Sequence, residues 1–146
     1  MRESSRRARC FRDPIVYQKA RSVARRIFCL SQSFPKEETY SLTDQGRRSS
    51  RSVGAQIAEA WGKRRYECHF VSKLTDADSE QLETQHWLET AWDCGYITES
   101  EKDSVCDELR EIGKMLNSMI EKAGSFCASD RHTVREESAE YFVDQD

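Results

Sequence analysis

Apolar residues recur along this chain every three or four positions, in four blocks separated by short polar breaks. That period predicts amphipathic helices and leaves no alternating stretch that would favour a strand. In the first block Val16, Ala20, Val23, Ala24, Ile27 and Leu30 form one stripe. It opens at Asp13-Pro14, an acid at the N-cap followed by a proline whose missing N–H costs nothing in a first turn. Phe34-Pro35 closes it, because proline disfavours helix in the residue before it. The second block runs from about Leu42 to Trp61, with Leu42, Gly46, Ser49, Val53, Ile57 and Ala60 on one third of the circumference. Its small residues Gly46, Ser49, Ser50 and Gly54 lower helix propensity, and they make sense where another helix crosses closely.

The third block starts near Tyr66 and ends at Gly95, which suits a left-handed cap. Phe70, Leu74, Ala77, Leu88 and Trp92 make its stripe, interrupted by Gln81 and Gln85. The fourth begins with Thr98 and Glu101 in a capping-box arrangement. Val105, Leu109, Ile112, Leu116 and Met119 then alternate spacings of four and three, a coiled-coil-like seam, and Gly124 ends it. Short connections between such helices predict an all-α, up-down-up-down, antiparallel four-helix bundle over 11–124. A flexible basic N-terminus is expected over 1–10 and a flexible acidic tail over 125–146.

Composition fits this picture. Charged residues make up 34% of the 146 and the apolar fraction is only 37%, which favours solvated, ion-paired helices. No apolar run approaches a bilayer span, so no membrane role is expected, and the Arg-rich start lacks the apolar stretch of a secretory signal. Cys10, Cys29, Cys68, Cys94, Cys106 and Cys127 include no CxxC pair. They read as reduced structural thiols of a cytoplasmic protein. The net charge of −3 is unevenly spread: the last 22 residues hold six acids against two bases, and the first 12 hold five arginines.

Chemistry is sparse. Arg47, Arg48 and Arg51 fall opposite the apolar stripe of the second helix, and Lys63, Arg64 and Arg65 follow at its end. Such groups can bind phosphates; equally, they can pair with Glu37, Glu38, Asp44 or Glu59 on a solvated face. Glu83 and His86 have the Glu-x-x-His spacing of di-iron bundles, but such a site needs a second motif and two further glutamates facing inward. Cys68-His69 has no second pair at zinc-like spacing. No cofactor is expected and no catalytic residue stands out. Gln81, Thr84 and Gln85 predict either a polar network that fixes register inside the bundle or a subunit interface. Trp92 is expected in the core. Trp87, about 120° away, is expected to be exposed for a protein contact.

The order of several short motifs resembles a bacterial four-helix-bundle family of proteins encoded in intervening sequences of large-subunit ribosomal RNA genes, related to the accessory variability determinant of diversity-generating retroelements. The motifs are Phe11-Arg12-Asp13, Gln18-Lys19-Ala20, Phe34-Pro35-Lys36-Glu37-Glu38, Arg47-Arg48, Ile57-Ala58-Glu59, Leu82-Glu83-Thr84-Gln85 and Gly95-Tyr96-Ile97. This chain departs from the family pattern at Gly46, Gly54, Gln56 and Ala60. The resemblance implies a homopentamer of bundles. For the retroelement branch it also implies RNA or DNA binding and a reverse-transcriptase partner. The expected function is therefore a non-enzymatic, self-assembling module that meets nucleic acid through Arg47, Arg48, Arg51, Lys63, Arg64 and Arg65. The alternative is a protein–protein scaffold with no nucleic-acid role.

Overall fold

A computed structural model describes residues 7–127, all helical apart from turns and connections. Four long helices follow one another: α1 (Ile15–Ser31), α2 (Asp44–Gly62), α3 (Glu67–Asp93) and α4 (Glu99–Glu121). A 3-10 turn at Lys36–Glu38 and a π-helical turn at Thr39–Thr43 lead into α2. The first connection is thus longer than expected and is itself wound, which starts helical backbone three residues before Leu42.

Contacts between α1 and α2, α2 and α3, and α1 and α4 run in opposite senses along each pair. On α2 and α3, Arg48 meets Glu83 while Glu59 meets Lys73. On α1 and α4, Lys19 meets Glu111 while Arg26 meets Glu108. The close approaches of Gly46 to Ile27 and of Gly54 to Tyr17 and Ala20 set α1 against α2 in the same antiparallel sense. Lys102 reaches Glu89 between α4 and α3. With α1 touching both α2 and α4, the four helices close around one core.

The core residues of α3 are Phe70, Leu74, Ala77, Gln81, Thr84, Leu88 and Ala91, a strict alternation of four and three. That register corrects two expectations. Ala91, not Trp92, takes the last inward position; Trp92 is 37% exposed, with the Lys102 ammonium 4.2 Å from its ring centroid. Trp87 is half-buried against the core instead of exposed, and its indole N–H donates to Glu83 over 3.2 Å. Gly46 lies beneath it, with room for a Cβ 3.9 Å from that of Trp87.

Two helix ends are capped as the local chemistry predicts, whereas α1, α2 and α3 start without a side-chain cap. Thr98 and Glu101 form the expected reciprocal capping box. Gly95, at φ 75°, closes α3 in the left-handed conformation, donating to the Trp92 carbonyl while Tyr96 donates to that of Ala91, the hydrogen-bond pair of a Schellman cap. At α1 the cap is Pro14 and not Asp13. The Asp13 carboxylate turns backward and accepts from the N–H groups of Arg9 and Cys10, which hold its pKa below the ordinary value. Gln18 then donates to the carbonyls of Arg12 and Asp13.

The bundle also runs past Gly124. Residues 123–127 form one more helical turn, in which Ala123 and Cys127 are buried and the Phe126 ring lies 5.6 Å from that of Phe70. Apolar residues three and four apart in this turn still bury one face, which a reading focused on the glycine passes over. The rest of the expected terminal segments, 1–6 and 128–146, lies outside the described residues.

Candidate nucleic-acid interface

The arginines of α2 divide by helical phase. Arg47 and Arg51, four apart, lie on one line and lean toward α1. The Arg47 Nε donates to the Ser31 hydroxyl over 2.8 Å, and its guanidinium carbon sits 4.8 Å from the Phe28 ring centroid. The Arg51 guanidinium approaches the same ring at 5.9 Å. Arg48, a third of a turn away, swings to α3, where it pairs with Glu83 at 3.0 Å and donates to Gln45. None of the acids expected as partners takes these three; Glu59 pairs with Lys73, whose pKa it raises.

Lys63, Arg64 and Arg65 do not join them. They follow the C-terminal end of α2, about 24 Å along the axis from Arg47 at 1.5 Å per residue. There the Arg64 guanidinium stacks 3.8 Å from the Trp61 ring centroid, and its Nε donates to the Trp61 carbonyl. The six expected residues are therefore two clusters, at opposite ends of one helix.

The outer face of α1 supplies residues the expectation missed. Arg21, Arg25 and Phe28, spaced four and three apart, line a groove of about 410 Å³ between α1 and α2. Its floor is made of small residues, among them Ala20, Ala24, Gly54, Ala55 and Ala58, and Arg51 stands on the far side. A second depression of about 600 Å³ adjoins it, bounded by Tyr40, Arg47 and Arg48, and Arg51 and Ala55 line both. Tyr40, in the π-helical turn, is 87% exposed. The signal is present in the sequence as Arg-x-x-x-Arg-x-x-Phe, on the wet side of α1 opposite its buried stripe.

Among the described residues, Arg21, Arg25, Arg47 and Arg51 make no ion pair with a carboxylate. By contrast Arg26, one residue along from Arg25, points to α4 and pairs with Glu108 at 3.0 Å. The α1–α2 face thus holds four cations not neutralised by a described carboxylate, and two of them, Arg47 and Arg51, lie against the Phe28 ring.

Other candidate chemistry does not assemble. Glu83 is occupied by Arg48 and Trp87, and His86 packs edge-on to Trp87 at 4.8 Å. His69 packs on Tyr66 beside an exposed Cys68. Among the described residues no group of three or more His, Cys, Asp or Glu is placed to hold a metal ion. Burial pushes the Cys106 thiol above its ordinary pKa, which makes it a poor nucleophile. Cys10, Cys29, Cys68, Cys94 and Cys106 form no disulfide. No described helix is long and apolar enough to cross a membrane.

Gln81 and Gln85 bond along α3, and Thr84 bonds separately across to α2. Gln85 donates to Gln81 over 2.7 Å, Gln81 donates to Asp78 over 2.9 Å, and the Thr84 hydroxyl meets that of Ser49 at 2.9 Å. The Ser49–Thr84 contact is the one of these that ties two helices of the bundle together.

Comparison with known proteins agrees with the fold. The chain is similar to a solved structure from Bacteroides thetaiotaomicron VPI-5482, described as a protein of unknown function from the S23 ribosomal protein family. The two are 34% identical with a TM-score of 0.66, over 73% of this chain and 98% of that one. No curated protein matches. Residues 12–118 match the family of 23S rRNA-intervening sequence proteins, and that is the family to which this chain belongs.

Proposed function

We propose that this chain is a non-enzymatic binding module that assembles with itself and holds nucleic acid through the α1–α2 face. The observation that carries the reading is the set Arg21, Arg25, Arg47 and Arg51: four guanidinium groups on one surface, none of them paired with an acid among the described residues. Holding like charges together without counter-charges is unfavourable in the free protein, and a phosphate backbone relieves it. Arg47 is already fixed by Ser31 and Phe28, so little side-chain freedom is lost when it meets a phosphate. The contacts would position a strand without reading bases. RNA is the first ligand to test, DNA the second. A reverse transcriptase is the protein partner that the retroelement branch suggests. Repetition of the face around a pentamer would turn weak single sites into useful avidity.

Fluorescence anisotropy with a labelled single-stranded RNA tests the reading. Four phosphate contacts on a single strand predict a log–log salt slope of about −3 per face. Native mass measurement with and without the RNA gives the stoichiometry. Binding absent at low salt, or indifferent to salt, would overturn the proposal.

A further inference from the structure

We propose that the C-terminal segment of this chain, residues 136–144, docks in the groove between α1 and α2 and covers its arginines. The segment reads EESAEYFVD. Glu136, Glu137, Glu140 and Asp144 surround the apolar triplet Tyr141-Phe142-Val143, and no basic residue lies among them. The groove has the complementary order. Its rim carries Arg21, Arg25 and Arg51, while its floor of alanines and Gly54 leaves a volume of about 410 Å³ with the Phe28 ring at one end. A purely acidic peptide would leave that floor wet, and a purely apolar one would leave the rim without counter-charge. This segment offers both parts.

Chain length permits the docking. Phe126 stacks on Phe70 at the start of α3, which places the last described turn at the end of the bundle where α1 begins. From Cys127, the 14 residues to Tyr141 reach about 46 Å when extended. The groove runs along α1 only from Tyr17 to Phe28, about 17 Å of helix. A tether of that length keeps the segment at high local concentration near the groove, so modest contacts suffice. The inference uses the same basic face as the proposed function, but it does not depend on that face having a nucleic-acid ligand.

The test uses the full chain with Phe142→p-benzoylphenylalanine, irradiated without nucleic acid, followed by mass-spectrometric mapping of the cross-links. The expected attachments fall on residues 17–28 and 50–58 within the same chain. Their yield should drop several-fold in 0.5 M salt (roughly a 4 Å screening length), and equally in the variant Arg21→Glu/Arg25→Glu. These side chains are exposed, so that variant should keep its helical circular dichroism. Attachments spread over other helices, a yield unmoved by the charge reversal, or adducts found only between chains would each overturn the proposal. Because no RNA is present, such a result leaves the phosphate-binding reading standing, and failure of RNA binding leaves this one standing.

Discussion

The hydroxyl of Ser49 lies 2.9 Å from that of Thr84, joining α2 to α3 where both side chains are fully buried. Thr84 also donates to the Glu80 carbonyl over 2.8 Å, so Ser49 is the donor in the pair. Its other candidate acceptor, the Gly46 carbonyl, is 3.4 Å away. Direction makes the two deletions unequal. Ser49→Ala removes a donor and should cost about 1 kcal/mol, whereas Thr84→Val leaves the buried Ser49 hydroxyl only its long contact to the Gly46 carbonyl and should cost about 2 kcal/mol. The double variant removes both needs and should be more stable than the sum of the singles implies. Urea unfolding of the four proteins measures this, and strict additivity would mean that the hydroxyl pair is not coupled.

Gly113, on α4, makes room for the Gln81 amide and its bonds along α3. A Cβ there would fall 2.8 Å from the Gln81 amide nitrogen and 3.2 Å from a carboxylate oxygen of Asp78. Gln81 cannot retreat without losing its bonds to Asp78 and Gln85. Gly113→Ala should therefore destabilise by about 1 kcal/mol or more, even though alanine is the better helix former. Gly62, in the last turn of α2, has nothing within 4 Å of its would-be Cβ. Gly62→Ala should be neutral or stabilising by up to about 1 kcal/mol. Thermal melts of the two single variants provide the check: Gly113→Ala should melt below the parent and Gly62→Ala at or above it.

Much of the fold was legible because the burial pattern of a helix is written locally. The stripes of α1, α2 and α4, the Thr98 cap and the left-handed Gly95 all depend on neighbours within about one turn. Trp87 and Trp92 were not legible, because spacing puts Trp92 four residues after Leu88 and Trp87 off the stripe, and only packing against Ile27, Gly46 and Leu42 draws Trp87 in. The site was legible by residue type and not by grouping. Whether Arg48 sides with Arg47 or with Glu83 depends on the crossing of α2 and α3. Whether Arg21 and Arg25 face Arg51 depends on which edge of α1 meets α2. Those relations lie between helices, where periodicity carries no information.

Glu80 gives the stability a pH dependence of unusual sign. One of its carboxylate oxygens is buried without a hydrogen-bond partner. Burial raises its pKa above the ordinary 4.5, with Glu83 and Asp76 adding to the shift and Arg48 opposing it. A carboxyl with a raised folded-state pKa binds its proton more tightly folded than unfolded. Its contribution is therefore fully present below the unfolded pKa and is lost as pH rises through the folded one. Glu80→Gln keeps the shape and removes the charge. Its melting temperature should exceed that of the parent at pH 7, and the difference should shrink toward pH 4. A difference that stays constant across that range would show that the shift does not exist.

Arg48 and Glu83 decide how much charge the α1–α2 face can present. The ion pair between them, 3.0 Å long and partly exposed, is worth little to stability, yet it neutralises a guanidinium that lines the depression beside Tyr40. Three variants separate the contributions. Arg25→Ala removes an unpaired cation from the groove and should weaken single-stranded RNA binding severalfold, while flattening the log–log salt slope by about 0.7 per face. Lys63→Ala, at the far end of α2, should leave that slope unchanged. Glu83→Gln releases Arg48 and should tighten binding and steepen the slope by a similar amount. Anisotropy titrations between low and moderate salt read all three. A Lys63→Ala effect equal to that of Arg25→Ala would place the interface at the end of the bundle and not on the face shared by α1 and α2.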